Sequence, residues 1–187
     1  VNRYVGLVLT ALGVEYFPRL SKVAHSNLRL GLFVNQEIKI ALLVLVPVVL
    51  VFMLLRGLVV ELLYSKEFSA ILTYVSWLLV GMILRATSWC MAFVILAKGD
   101  GKMYVITEAV SVALGLALNI VAYHYYGLNG LGVSFVIWYL IYNIIVGAVY
   151  FSRYKLHLHK STGMISVFAV AVSVMCMLSE LAGHQMV

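Results

Sequence analysis

Apolar residues in this chain come in long unbroken runs rather than in alternation. The runs cover about Tyr4 to Phe17, Ile38 to Leu63, Ile71 to Ala97, Met103 to Tyr123, Val133 to Phe151 and Met164 to Ala182, with short polar segments between them. A membrane-crossing helix needs about 20 predominantly apolar residues. The pattern therefore predicts an all-α, polytopic transmembrane bundle of about six hydrophobic helices. Strands of a membrane barrel alternate polar and apolar residues, so the same pattern argues against a barrel. The first run is short for a crossing, and no small-residue cleavage site follows it, so it does not read as a signal peptide. The expectation is that the chain is the tail of a longer protein, cut inside or just before this helix.

Prolines and polar clusters set the expected boundaries. Pro18 is expected to end the first helix, and the more polar segment Arg19 to Lys39 to lead into a second helix beginning near Ile38. Pro47 lies well inside that helix. It lacks an N–H and crowds the preceding turn, which predicts a bend between Leu43 and Pro47 that faces a cavity or a neighbouring helix. Tyr64 to Glu67, Lys98 to Lys102, the glycine-bearing His124 to Gly132 and the basic Ser152 to Lys160 are the expected loops. Arg56 and Glu61 fall near the outer end of the second helix, where Arg56 can snorkel to the interface.

Composition agrees with lipid as the solvent: 64% of residues are hydrophobic and only 11% charged. The net charge of +6 does not point to nucleic acid, because basic loops between spans are expected from the positive-inside rule. Arg19, Lys22, Arg29, Lys39, Lys98, Lys102, Arg153, Lys155 and Lys160 fall on one side when loops alternate; the other side holds little more than Arg3 and Lys66. The basic side is assigned to the cytoplasm, and Tyr123, Tyr125 and Tyr126 to the outer interface.

Bond-making chemistry finds no support. Cys90 and Cys176 both lie in apolar runs and imply no disulfide framework. His157 and His159 form a lone His-x-His in a basic loop, which is too little for a metal site. No phosphate-cradling glycine loop and no Ser/His/Asp set can be assembled. The chain is expected to be no enzyme and to use no cofactor or metal.

Arg85 is the informative exception. It lies near the middle of the run 71–97, roughly 20 Å along the helix from either end. A charge at the bilayer centre costs on the order of 3 kcal/mol, so Arg85 is expected to face a cavity or a partner. Trp77, Gly81, Ser88, Trp89 and Ala92 share its stripe at helical spacing. The stripe suits an anionic or sugar group, since guanidinium grips phosphate with two donors and indole packs on sugar faces. The alternative is an ion pair that only holds helices together. Glu108, a candidate partner or proton carrier, heads a second stripe with Ser111, Gly115 and Asn119, whose small residues favour close helix packing. Asn143 and Gly147 read as packing contacts. The candidate substrate-contacting residues are Arg85, Trp89, Ser88, Trp77, Glu108 and Asn119.

Several segments resemble bacterial O-antigen and polysaccharide flippases. These are Val14 to Ser21, Val34 to Ile38, Leu62 to Phe68, Arg85 to Trp89 followed by Leu96 to Gly99, and the turn Gly127 to Gly132. Such proteins belong to the superfamily that also contains multidrug extruders and the lipid II flippase. The resemblance covers Gly13 to Tyr150 and rests on the order and spacing of the segments. It implies two helical bundles facing a central cavity, with this chain most of the second. It also implies alternating-access flipping of undecaprenyl-diphosphate-linked oligosaccharide across the bacterial inner membrane. The implied partners are the lipid-linked oligosaccharide, membrane lipids and the other bundle, with no nucleic acid.

The expected organisation is 1–151 as a partial transmembrane bundle, 152–163 as a basic cytoplasmic loop, and 164–187 as an additional helix and tail. Two other functions compete. A multidrug or cation exporter of the same fold would favour acids in the cavity. A membrane-embedded glycosyltransferase or ligase using the same lipid carrier would show a large polar outer loop or a cluster of acids or histidines at one interface. The loops here are short, and the seven acids are scattered.

Overall fold

The computed structural model describes residues 2–63 and 69–184, with side chains described for 13–55 and 73–179. The expected loop Tyr64 to Glu67 and the side chains of Arg3, Arg56 and Glu61 lie outside the described residues. The described chain is helical, with no strand: α1 (Asn2–Val23), α2 (Asn27–Leu63), α3 (Ser69–Ala97), α4 (Gly101–Ala148) and α5 (Lys160–His184). A π-helical turn, Val149–Arg153, closes α4.

Two expected boundaries need correction. α1 runs through Pro18 to Val23. A proline in a helix costs one hydrogen bond, and the turn around it is braced from both sides. Ser21 Oγ donates to the Phe17 carbonyl (2.9 Å) and Arg19 bridges back to Glu15 (2.7 Å). The second helix begins at Asn27 rather than near Ile38. Leu30, Val34, Ile38, Ala41, Leu45, Val49 and Met53 form one buried stripe at helical spacing, so the polar residues between them belong to the same helix. α2 carries Pro47 inside a single helix, and the ring lines a groove toward α5.

Among the described residues four helices are long and apolar enough to cross a membrane: Asn27–Leu55, Thr73–Ala97, Gly101–Arg153 and Lys160–Ser179. The expected count of about six is not reached. One reason lies in α4, where the expected fourth and fifth spans form one element interrupted at a single residue, Gly127 (φ 61°, ψ −141°). That conformation is open to glycine and strained for residues with a side chain. Backbone geometry rather than space requires it, since a Cβ there would meet nothing within 4 Å. The chain reverses at this point. Ser134 Oγ donates to Asn119 Oδ1 (2.6 Å), Trp138 Nε1 to Ser111 Oγ (3.0 Å), and Tyr142 Oη to Glu108 Oε1. These pairs align the legs 101–126 and 128–148 as an antiparallel hairpin. Gly115 lets the Trp138 indole lie flat on the first leg, where a Cβ would come within 2.5 Å of Cε2.

α3 is the central helix. It packs against α1, α2, α4 and α5, and most of its apolar window is buried, against a third or less in the other three. Gly81 of α3 receives Phe135 of the second leg, and Gly132 of that leg receives Trp77 of α3. The exterior is apolar: Leu43, Leu116, Ile144 and Phe168 are exposed, whereas Asn35, Ser88, Thr107, Ser111 and Ser134 are buried. In water such a surface would be a liability; in lipid it is the solvated face.

Candidate functional site

Polar groups gather in two places. The first is the middle of α3 against the second leg of α4. Asn143 Nδ2 donates to the Leu84 carbonyl of α3 and to the Tyr139 carbonyl of its own helix, both at 2.8 Å, which fixes the register of the two helices. With that register, the half-buried Arg85 guanidinium lies 5.9 Å from the centre of the Tyr139 ring. Tyr139 meets Tyr142 edge to face (6.3 Å between centroids), and Tyr142 donates to the Glu108 carboxylate. A row Arg85–Tyr139–Tyr142–Glu108 results. A guanidinium over a phenol face is a favourable cation–π geometry, and the row carries a cation at one end and an acid at the other.

The remaining expected residues are distributed around this row. Trp77 lies on the same face of α3 and packs on Gly132. Trp89 turns toward α1, where it meets Tyr16 (5.7 Å) and Phe93 (4.6 Å). Ser88 is buried and its hydroxyl donates to the Leu84 and Arg85 carbonyls of its own helix. Asn119 closes the α4 hairpin through Ser134. The structure thus joins Arg85 and Glu108 through two tyrosines and places Trp89, Ser88 and Asn119 in other contacts. Tyr139 and Tyr142 were missed in the sequence. Their signal was two hydroxyl-bearing rings at i, i+3 on the same helix as Asn143.

The second polar region is the basic end of the bundle. Lys98 Nζ donates to the Ala24 carbonyl (2.6 Å) and to Asn27 Oδ1 (2.7 Å), and Asn27 Nδ2 donates to the Tyr154 carbonyl (3.1 Å). The buried Asn35 amide donates to the His157 carbonyl (3.2 Å) and accepts from the His159 N–H (2.8 Å), as a neighbouring strand would. Lys39 Nζ donates to Ser161 Oγ (3.0 Å). Residues 154–159 are therefore an extended strap along the first turns of α2, entered through Lys155 at positive φ (54°). The two histidines serve this strap with their main chains, and the His157 ring stacks on Phe151.

Asp100 anchors the strap's start. It caps α4 through the Met103 N–H and receives Arg153 (2.8 Å) and the Tyr154 hydroxyl (3.1 Å). Desolvation alone would raise its pKa, but these donors outweigh it and hold the carboxyl below the usual carboxylate value. The three basic segments expected on one side, 19–39, 98–102 and 152–160, meet at this end.

The register also relates the two regions. Lys98 and Asn27 are bonded. From that point Lys39 on α2 and Arg85 on α3 each lie roughly 18–20 Å along antiparallel helices. Arg85 is central in its own helix, and its neighbours Leu84 and Thr87 line a groove with Ser166, Val167 and Val170 of α5.

Fold and surface together define an all-helical membrane protein with four helices of membrane-crossing length and composition. Comparison with family models, with curated proteins and with solved structures found no match to this chain.

Proposed function

We propose that this chain is one bundle of a flippase that moves undecaprenyl-diphosphate-linked oligosaccharide across the bacterial inner membrane by alternating access. In this reading both legs of the α4 hairpin cross the bilayer, the basic end is cytoplasmic, and a second bundle completes the cavity. The observation that carries it is the half-buried Arg85 guanidinium set on the Tyr139 ring inside an otherwise apolar bundle. Arginine at such a position grips an oxyanion with a planar fork of donors. Glu108 at the other end of the row is the natural proton carrier. It is also the residue a cation exporter would use, and that remains the second reading.

The test is polymer display at the cell surface, normalised to protein in the membrane. Arg85→Ala is expected to lose display at unchanged abundance, and Arg85→Lys to keep part of it. Glu108→Gln distinguishes the exporter: it would then abolish resistance to cationic drugs and leave display intact. Normal display by Arg85→Ala at normal abundance would reject the flippase site. Impermeant thiol labelling of single cysteines at Lys22, Lys102 and Lys155, in a background lacking Cys90 and Cys176, tests the topology. Strong labelling of all three from outside intact cells would reverse it.

A further inference from the structure

A groove of about 530 Å³ runs between α2 and α5, from Lys39 to Leu50 on one wall and from Ile165 to Val172 on the other. Its length along α2 is roughly 16 Å. Pro47 and Phe168 lie within it, and its lining is apolar except at one end. There Lys39 spends one of its three N–H donors on Ser161, in the first turn of α5, next to Lys160. Among the described residues no acid lines the groove.

Two kinds of occupant fit a furrow between membrane helices, and the lining separates them. Helices approach closely where small residues line the contact. The groove where α5 faces α3 and the second leg of α4 carries more of them, with Thr87, Ser166 and Ala171 along it. In the α2–α5 groove Ala169 is the one small residue among large aliphatic and aromatic side chains. A flexible acyl chain follows such a surface without needing close backbone approach. The charge at the mouth selects the headgroup, since a lysine at a membrane surface attracts anionic lipid and the free amides of a helix N-terminus favour phosphate.

We propose that this groove is a binding site for an anionic glycerophospholipid. Its phosphate sits on Lys39 and the first turn of α5, and one acyl chain lies along Pro47 and Phe168. The site is independent of the transport reading above.

The experiment places p-benzoylphenylalanine at Phe168 in the full chain, reconstituted in bilayers of equal phosphatidylglycerol and phosphatidylcholine. Irradiation followed by mass spectrometry reads which lipid is attached. Phosphatidylglycerol adducts are expected in about fivefold excess, the preference that one lysine near the surface confers. Lys39→Gln should bring the ratio to about one without removing the adducts. Ala169→Phe, which fills the furrow and keeps Lys39, should reduce adducts of both lipids. Equal adducts of the two lipids in the otherwise native chain would overturn the proposal. So would adducts to protein in place of lipid, the result if a second copy or another helix covers the groove. Should Lys39→Gln fail to insert, Lys39→Arg must retain the excess, and its loss there would equally overturn the proposal.

Discussion

The strap at the basic end and the row at Arg85 are both polar regions of an apolar protein, and they are built on opposite principles. Asn35 is buried and its amide is used by main-chain groups on both sides, two of them more than 120 residues away in sequence. Asp100 is likewise surrounded by donors. Each group there exists to satisfy another, which is what a structural network requires. At the row, Arg85 stays half-buried over a ring, and Glu108 is half-buried against a phenol. The strap thus ties distant segments together through main-chain groups, whereas the row joins α3 to the α4 hairpin through side chains alone.

The comparison predicts unequal consequences of mutation. The largest expected effect on stability belongs to Asn35→Leu. It removes the partner of the His157 carbonyl and of the His159 N–H, part-buried bonds at about 0.5–1.5 kcal/mol each. Thermal unfolding in detergent should fall sharply, with faster hydrogen exchange at 157–159. A variant as stable as the native chain would show that the strap does not hold the bundle.

Gly115→Leu comes next. It drives a side chain into the Trp138 indole, and overpacking of this kind costs about 1–3 kcal/mol. The Trp138 fluorescence should shift as its bond to Ser111 breaks, while the strap remains closed. A change at both regions would mean that they are not separable.

The smallest effect is expected at Asp100. Because its folded pKa is depressed, its contribution is present above the unfolded value and is lost as pH falls through the folded one. A spin label at Lys155→Cys should therefore stay immobile down to and below the ordinary carboxylate range, then loosen. Asp100→Asn should remove that pH dependence. A transition near neutral pH would assign the strap to some other group.

Much of the fold was legible in the sequence, and for one reason: a bilayer demands long apolar runs, and runs are a local property. The reversal at Gly127 was legible within a few residues, because only glycine takes that backbone conformation readily. The start of α2 was missed because Asn27 and Asn35 look like loop residues until their partners are known. Those partners, Tyr154 to His159, lie on a distant segment. Pro18 misled in the same way, since Ser21 and the Glu15–Arg19 pair brace the helix through it. At the site, Arg85 and Glu108 stood out as charges in apolar runs. Tyr139 and Tyr142 did not, because aromatic residues in a membrane helix are common, and only the register set by Asn143 brings them beside those charges.

The central claim is that Arg85 and its row bind a ligand rather than brace the bundle. The most direct test is the melting temperature of the native chain and of Arg85→Ala, each with and without undecaprenyl diphosphate in detergent. A ligand that binds only the folded state raises stability in proportion to the logarithm of its saturation. The account predicts similar melting without ligand, a clear upward shift for the native chain, and none for Arg85→Ala. Arg85→Ala melting far lower without ligand, by the several kcal/mol that breaking a buried ion pair costs, or shifting as much as the native chain with it, would contradict the account.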